Sequence, residues 1–282
     1  MTLAGLRRSE IVAGGVRSPI IEAGPPGTAE AVLFVHGNPG CGEDWEDLLH
    51  AAGTWARAVA VDLPGFGRAE KPSDFPYTME GYVKHLDDVI GALGLERVHL
   101  VLHDLGGLWG LAWASGHPRA VASITLIDTG AVTGYRWHTL ARLWRLPVVG
   151  ELIQAASTRL VFRLALARGN PRRLPASFVD RMADNYDWAT RRAVLRFYRA
   201  TELSEIASRY SAALRDVQVP TLVLWGRHDP YFPVRFAERQ RQVFPAARVV
   251  ILEESGHWPF VDDPAGVRAA FVPFLRDSLR GG

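Results

Sequence analysis

The stretch HLVLHDLGGLWG, residues 99–110, decides how the chain is read. Residues 99–103 suit a buried strand. Gly106 and Gly107 permit close backbone packing, and Leu108, Trp109, Leu111 and Ala112 begin the apolar face of a helix. A strand that turns sharply into a helix exposes the side chain at its apex. The apex residue is Asp104, with Leu102 two positions before it and Gly106 two positions after. The chemistry that needs a carboxylate at this point follows from its neighbours along the chain.

Strand-like segments recur on both sides: AVLFVHG, RAVAVDLPG, ASITLID, VPTLVLWG and ARVVILEE, preceded by two short extended pieces near 10–12 and 16–22. Helical patterns separate them, as at 79–93 and 234–243. Alternation of helices with near-continuous apolar strands predicts an α/β fold with a mostly parallel central sheet covered by helices on both faces. From about 129 to 213 no core strand is legible. Helical patterns at Thr139–Arg145, 150–168, 175–186 and 190–203 predict an inserted helical cap over the carboxyl edge of the sheet, where open α/β folds bind ligands. The expected division is core 1–128, cap 129–213 and core 214–282.

The chain has 282 residues, 48% of them hydrophobic, enough for one large core with an insertion. A single cysteine, Cys41, excludes an internal disulfide. With no apolar signal segment behind the N-terminal arginines and no apolar run of bilayer-spanning length, a cytoplasmic location without membrane insertion is expected. Net charge is +2, unevenly spread: residues 131–212 hold fourteen arginines against six acids. This reads as a solvated arginine-rich face; attraction to anionic substrates or a membrane surface is the sharper alternative. No nucleic-acid-binding motif is present. The oligomeric state cannot be read from the sequence.

HGNPG at 36–40, DLPGFGRAEKP at 62–72, GRHDP at 226–230 and ESGHWPFVDDP at 254–264 accompany the elbow in order along the chain. Together they resemble the α/β-hydrolase superfamily over nearly the whole length. The Asp at the elbow and the cap resemble the epoxide hydrolase and haloalkane dehalogenase branch. The resemblance implies a cofactor-independent enzyme with no metal. Asp104 would be the nucleophile, Asp229 the acid and His257 the base, with Asp128, at the end of the preceding strand, as the alternative acid. The N–H groups of Asn38 and Leu105 would form the oxyanion hole. His36 shapes that loop and, with Pro39, borders the pocket. Leu102 departs from the small residue usual two positions before the nucleophile, although bulky residues occur there in dehalogenase elbows.

A carboxylate at the apex has a chemical reason. Serine attacking a saturated carbon would leave an ether, a dead end. A carboxylate leaves an ester, which water activated by a neutral histidine can cleave. The elbow therefore points to displacement at an sp³ carbon. Epoxide opening creates an alkoxide that needs an acid, and Tyr198, in VLRFYRAT, sits in a context like a cap tyrosine of epoxide hydrolases; packing of the cap helix is its other reading. Tyr135, Tyr186 and Tyr231 are weaker candidates, and Trp137 or Trp188 could donate through the indole N–H. Halide release needs an anion clamp instead. Asn38 supplies one part, but Leu105 stands where dehalogenases carry Trp. The expected reaction is epoxide hydrolysis, with haloalkane dehalogenation or a non-catalytic ligand-binding relative as alternatives. Trp137, Trp144 and Trp188 in the cap predict an apolar or aromatic small-molecule substrate, and Tyr135, Trp137, Trp188, Tyr231 and Trp258 are expected to line its pocket.

Overall fold

A computed structural model describes residues 5–131, 133–168 and 170–281. The apolar runs become eight strands: β1 (Arg7–Ala13), β2 (Val16–Ala23), β3 (Glu30–Val35), β4 (Arg57–Val61), β5 (Arg97–His103), β6 (Val121–Ile127), β7 (Thr221–Gly226) and β8 (Arg248–Leu252). They form one sheet in the order β1-β2-β4-β3-β5-β6-β7-β8. β1 and β2 pair antiparallel, as do β2 and β4, and all later pairings are parallel.

Alternation along the strands assigns each side chain to a layer. Leu33 and Val35 of β3 join one apolar core, while Val32 and Phe34 join the other. Three helices follow the early strands: α1 (Glu46–Gly53), α2 (Met79–Ala92) and α3 (Leu105–Gly116). Residues of α2 and α3 fill the first core. The second holds residues of α1 and of the C-terminal helix. Thr78 caps α2 by accepting the Gly81 N–H. Close approach of α3 to the sheet requires Gly106, because a Cβ there would lie 2.4 Å from the Val35 carbonyl oxygen.

Between β6 and β7 lie α4 (Thr139–Arg145), α5 (Val149–Ala156), α6 (Arg159–Arg168), α7 (Ala176–Asn185), α8 (Trp188–Ala200) and α9 (Leu203–Leu214). The continuous helix expected at 150–168 is two. The Ser157 hydroxyl donates to the Ile153 carbonyl, and Thr158 Oγ1 accepts the Val161 N–H, so polar side chains end one helix and start the next. α9 packs along α3, so the end of the expected cap segment lies against the core. The remaining helices are α10 (Arg235–Arg239), α11 (Pro259–Asp262) and α12 (Pro264–Arg280). The helix expected at 234–243 is α10 plus a 3-10 turn, Gln240–Gln242. The sheet order brings the loops after β3, β5, β6, β7 and β8 to one edge.

Candidate active site

The elbow stands where the motif placed it. Asp104 adopts φ 49° and ψ −124°, a region that costs a non-glycine residue about 1–3 kcal/mol and persists only when its surroundings hold it. The hold is visible. Thr129 donates its hydroxyl to the Asp104 carbonyl at 2.6 Å, and the Asn38 N–H donates to Asp104 Oδ1 at 2.7 Å. The neighbouring Leu105 N–H favours the ionised form of the same carboxylate. Space for the carboxylate comes from Gly37, where a Cβ would sit 2.3 Å from Oδ1. The bulky Leu102 is accommodated by Gly110, whose hydrogen faces the Leu102 methyls at a distance a Cβ could not occupy.

His257, in the loop after β8, faces the other carboxylate oxygen. Its Nε2 lies 3.6 Å from Asp104 Oδ2, and its Nδ1 lies 2.8 Å from Asp229 Oδ2. Asp229 Oδ1 accepts the N–H groups of Tyr231 and Phe232 at 2.7 and 2.9 Å, which fixes the carboxylate. His103 Nε2–H donates to the His257 carbonyl at 2.7 Å, pinning the loop from below. Asp128 is elsewhere. Its Oδ1 accepts the Gly226 N–H at 2.8 Å, and its buried Oδ2 has no partner among the described residues. The His257 imidazole is bonded to Asp229 and not to Asp128.

Charge follows from this packing. Burial pushes the Asp104 carboxyl above its usual range, opposed by His257 and the N–H groups of Asn38 and Leu105. Burial lowers the His257 pKa, but the charge and hydrogen bond of Asp229, with the charge of Asp104, outweigh it and raise the group overall. Burial, then the neighbouring Asp229, holds Asp128 well above the ordinary carboxyl range.

A cavity of about 90 Å³ opens on Asp104, bounded by Asn38, Pro39, Tyr231 and His257 below and by His138, Trp144, Phe162, Tyr186 and Tyr198 from the insert. A smaller arm, lined by Tyr135, Trp137, Leu108 and Phe232, also reaches Asp104 and Tyr198. Tyr198 is buried and lines the cavity together with Asn38; burial and the charge of Asp104 raise its pKa well above that of a free phenol. The Tyr135 hydroxyl is already committed to the Tyr231 carbonyl at 2.9 Å. Tyr186 accepts the Gln154 amide at 3.0 Å.

Three expected pocket residues lie outside both arms. Trp188 opens α8 before its buried face begins, is 53% exposed, and lies near the Arg191 guanidinium. His36 turns inward: its Nδ1–H donates to the Gly37 carbonyl and its Nε2 accepts the Leu63 N–H, so the ring ties two loops together. Trp258 is buried against His257, Tyr231 and Phe178. The sequence reading missed His138 and Phe162, which carry no motif and are brought in by the packing of the insert.

An eight-stranded, mostly parallel sheet with a carboxylate after β5, a second carboxylate after β7 and a histidine after β8 defines a hydrolase-type α/β architecture. Residues 30–264 match the family described as alpha/beta hydrolase fold, and the chain belongs to that family. It is 28% identical to a cis-3-alkyl-4-alkyloxetan-2-one decarboxylase of Xanthomonas campestris, over 94% of this chain and 93% of that protein. It is 25% identical to epoxide hydrolase 3 of Xenopus tropicalis, over 98% of this chain and 76% of that protein. Among solved structures, haloalkane dehalogenase DbeA from Bradyrhizobium elkani superposes with a TM-score of 0.84, 21% identity and coverage of 99% and 100%.

Proposed function

We propose that the protein is a hydrolase that opens epoxides through a covalent ester on Asp104. The observation that supports this most is the division of labour within one carboxylate. Asp104 Oδ1 already receives the Asn38 N–H, which leaves Oδ2 free to attack. Attack by Oδ2 on a ring carbon breaks the carbon–oxygen bond, and the released oxygen takes a proton from the Tyr198 hydroxyl. His257 Nε2 then takes a proton from water, and the hydroxide adds to Asp104 Cγ. The negative charge falls on Oδ1, where the Asn38 N–H lies, with the Leu105 N–H proposed as the second donor. Collapse expels the alkoxide, which is protonated by His257 as the diol leaves, and the proton left on the Asp104 carboxyl returns through water to the Tyr198 phenolate.

The charges suit this order. Before attack, the charge of Asp104 helps to raise the His257 pKa. Esterification removes that negative charge, so the His257 pKa falls and the imidazole becomes a base when water must be activated. Asp104→Asn, which removes the same charge, is expected to lower the His257 pKa in an NMR titration of the imidazole. An unchanged value would refute the coupling.

Tyr198→Phe is expected to slow ring opening by about 10- to 100-fold. Hydrolysis of the preformed ester should change less, because that step uses His257. Single-turnover mass spectrometry separates the two rates, and equal slowing of both would remove Tyr198 from the acid role.

A second reading, haloalkane dehalogenation, draws on the indole Nε1 atoms of Trp137 and Trp144, both buried and without partners among the described residues. With Asn38 they could clamp a departing anion. The same Asp104 attack on an oxetan-2-one would release a tethered carboxylate, the ring class named for the Xanthomonas relative. Parallel incubation with an epoxide, a haloalkane and a dialkyl-oxetan-2-one, scored for diol, halide and carbon dioxide, discriminates among them. Diol formation is expected. Halide or carbon dioxide without diol would replace the epoxide reading, and absence of any adduct on Asp104 would favour a ligand-binding relative.

A further inference from the structure

The exposed apolar side chains are concentrated in one region. Nine of the twelve large ones among the described residues fall between 140 and 164, on or beside α4, α5 and α6. Leu152 is 64% exposed and Leu160 is 66% exposed. Leu160 and Leu164 are one helical turn apart, as are Leu140 and Leu143, so each pair shares a face. Val148, at the start of α5, has φ 67° and is 68% exposed, so a strained backbone position presents a β-branched apolar side chain to the outside. Leu140 and Val161 belong both to this exposed set and to the lining of the cavity over Asp104. The apolar surface therefore continues into the mouth of the site.

The charge around this surface narrows what can cover it. Residues 131–212 carry a net +8. Arg136 and Arg142 are exposed and form no ion pair among the described residues. A second copy of the chain would bring the same positive charge face to face, which opposes self-association. A protein partner seated here would also cover the cavity mouth. An anionic bilayer matches both features: apolar side chains enter the boundary between headgroups and acyl chains, and arginines meet anionic headgroups. It is also the phase in which apolar molecules accumulate. Among the described residues no helix is long and apolar enough to cross a membrane, so the contact is peripheral.

We propose that the face formed by α4, α5 and α6 docks on an anionic lipid surface, with the cavity mouth against the lipid so that an apolar substrate enters without crossing water. This goes beyond the reaction assigned above and draws only on the apolar character of that cavity. The experiment is flotation of the full chain with phosphatidylcholine vesicles containing about a third phosphatidylglycerol, and with phosphatidylcholine alone. The wild type is expected to float with the anionic vesicles, less at high salt. Leu152→Asp combined with Leu160→Asp is expected to weaken binding at least tenfold, and Arg136→Glu with Arg142→Glu to abolish the preference for the anionic lipid. The leucines lie outside the cavity, so the double aspartate variant should retain turnover of a short, water-soluble epoxide and an unchanged melting temperature.

Three results would overturn the proposal: wild type that stays in solution with anionic vesicles, aspartate variants that bind as wild type does, or a wild-type dimer in solution that the aspartate variants dissociate. Flotation uses no substrate, so failure of the epoxide assay leaves this test intact, with the melting temperature then reporting the fold.

Discussion

Replacing His257 by Gln is expected to convert the protein from a catalyst into a trap. Attack on the epoxide by Asp104 Oδ2 needs no base, so the ester still forms. Its cleavage needs a group that takes a proton from water, and the side chain that faces Oδ2 at 3.6 Å is His257. Steady-state turnover should fall by about 10⁴-fold or more. The protein mass should rise by one substrate equivalent, and the peptide containing Asp104 should carry it. Asp104→Ala should be equally inactive and acquire no mass. In single-turnover reactions of the wild type in ¹⁸O-water, the label should enter the Asp104 carboxylate and not the diol, because the hydroxide adds at Cγ. A wild-type diol that carries the solvent label from the first turnover would mean direct attack of water on the epoxide and would remove the covalent mechanism.

The second large effect concerns the two buried aspartates. Asp229→Asn is expected to lower ester hydrolysis by about 10⁴-fold, because an amide no longer stabilises the imidazolium and can present its own N–H to Nδ1, which favours the wrong tautomer. Asp128→Asn is expected to change hydrolysis by less than about tenfold. Asp128 contributes one oxygen to the Gly226 N–H, and an amide oxygen can accept the same bond. Its raised pKa also has a sign for stability. The unfolded chain loses this proton at an ordinary carboxyl pKa, while the folded chain keeps it to higher pH. Stability therefore falls as pH rises between those two values. Asp128→Asn removes that penalty, so its melting temperature at neutral pH should be no lower than that of the wild type. A crippled but folded Asp128→Asn enzyme beside an active Asp229→Asn enzyme would reverse the assignment.

Trp188 shows where sequence reading stops. Its type and its place in an aromatic-rich insert suggest a pocket residue, but at helical spacing it lies on the side of α8 opposite Thr190, Ala193, Val194 and Phe197, and it points out. Phe162 carries no motif, yet lines the cavity because α6 lies across it. The orientation of each insert helix depends on what it packs against, and the partners are far away in the chain.

The fold class and the chain order of Asp104, Asp229 and His257 are legible along the chain. Those signals are local: apolar strand periodicity, and turn residues that close strand ends whatever surrounds them. Only in the folded chain is it visible that His257 bonds Asp229 and not Asp128, that His36 and Trp258 turn away from the cavity, and that Tyr198 lines it with Asn38. Each of these is a distance between groups on different loops or helices. Such distances are set by the sheet order and by the packing of the insert over the carboxyl edge, which no single stretch of chain encodes.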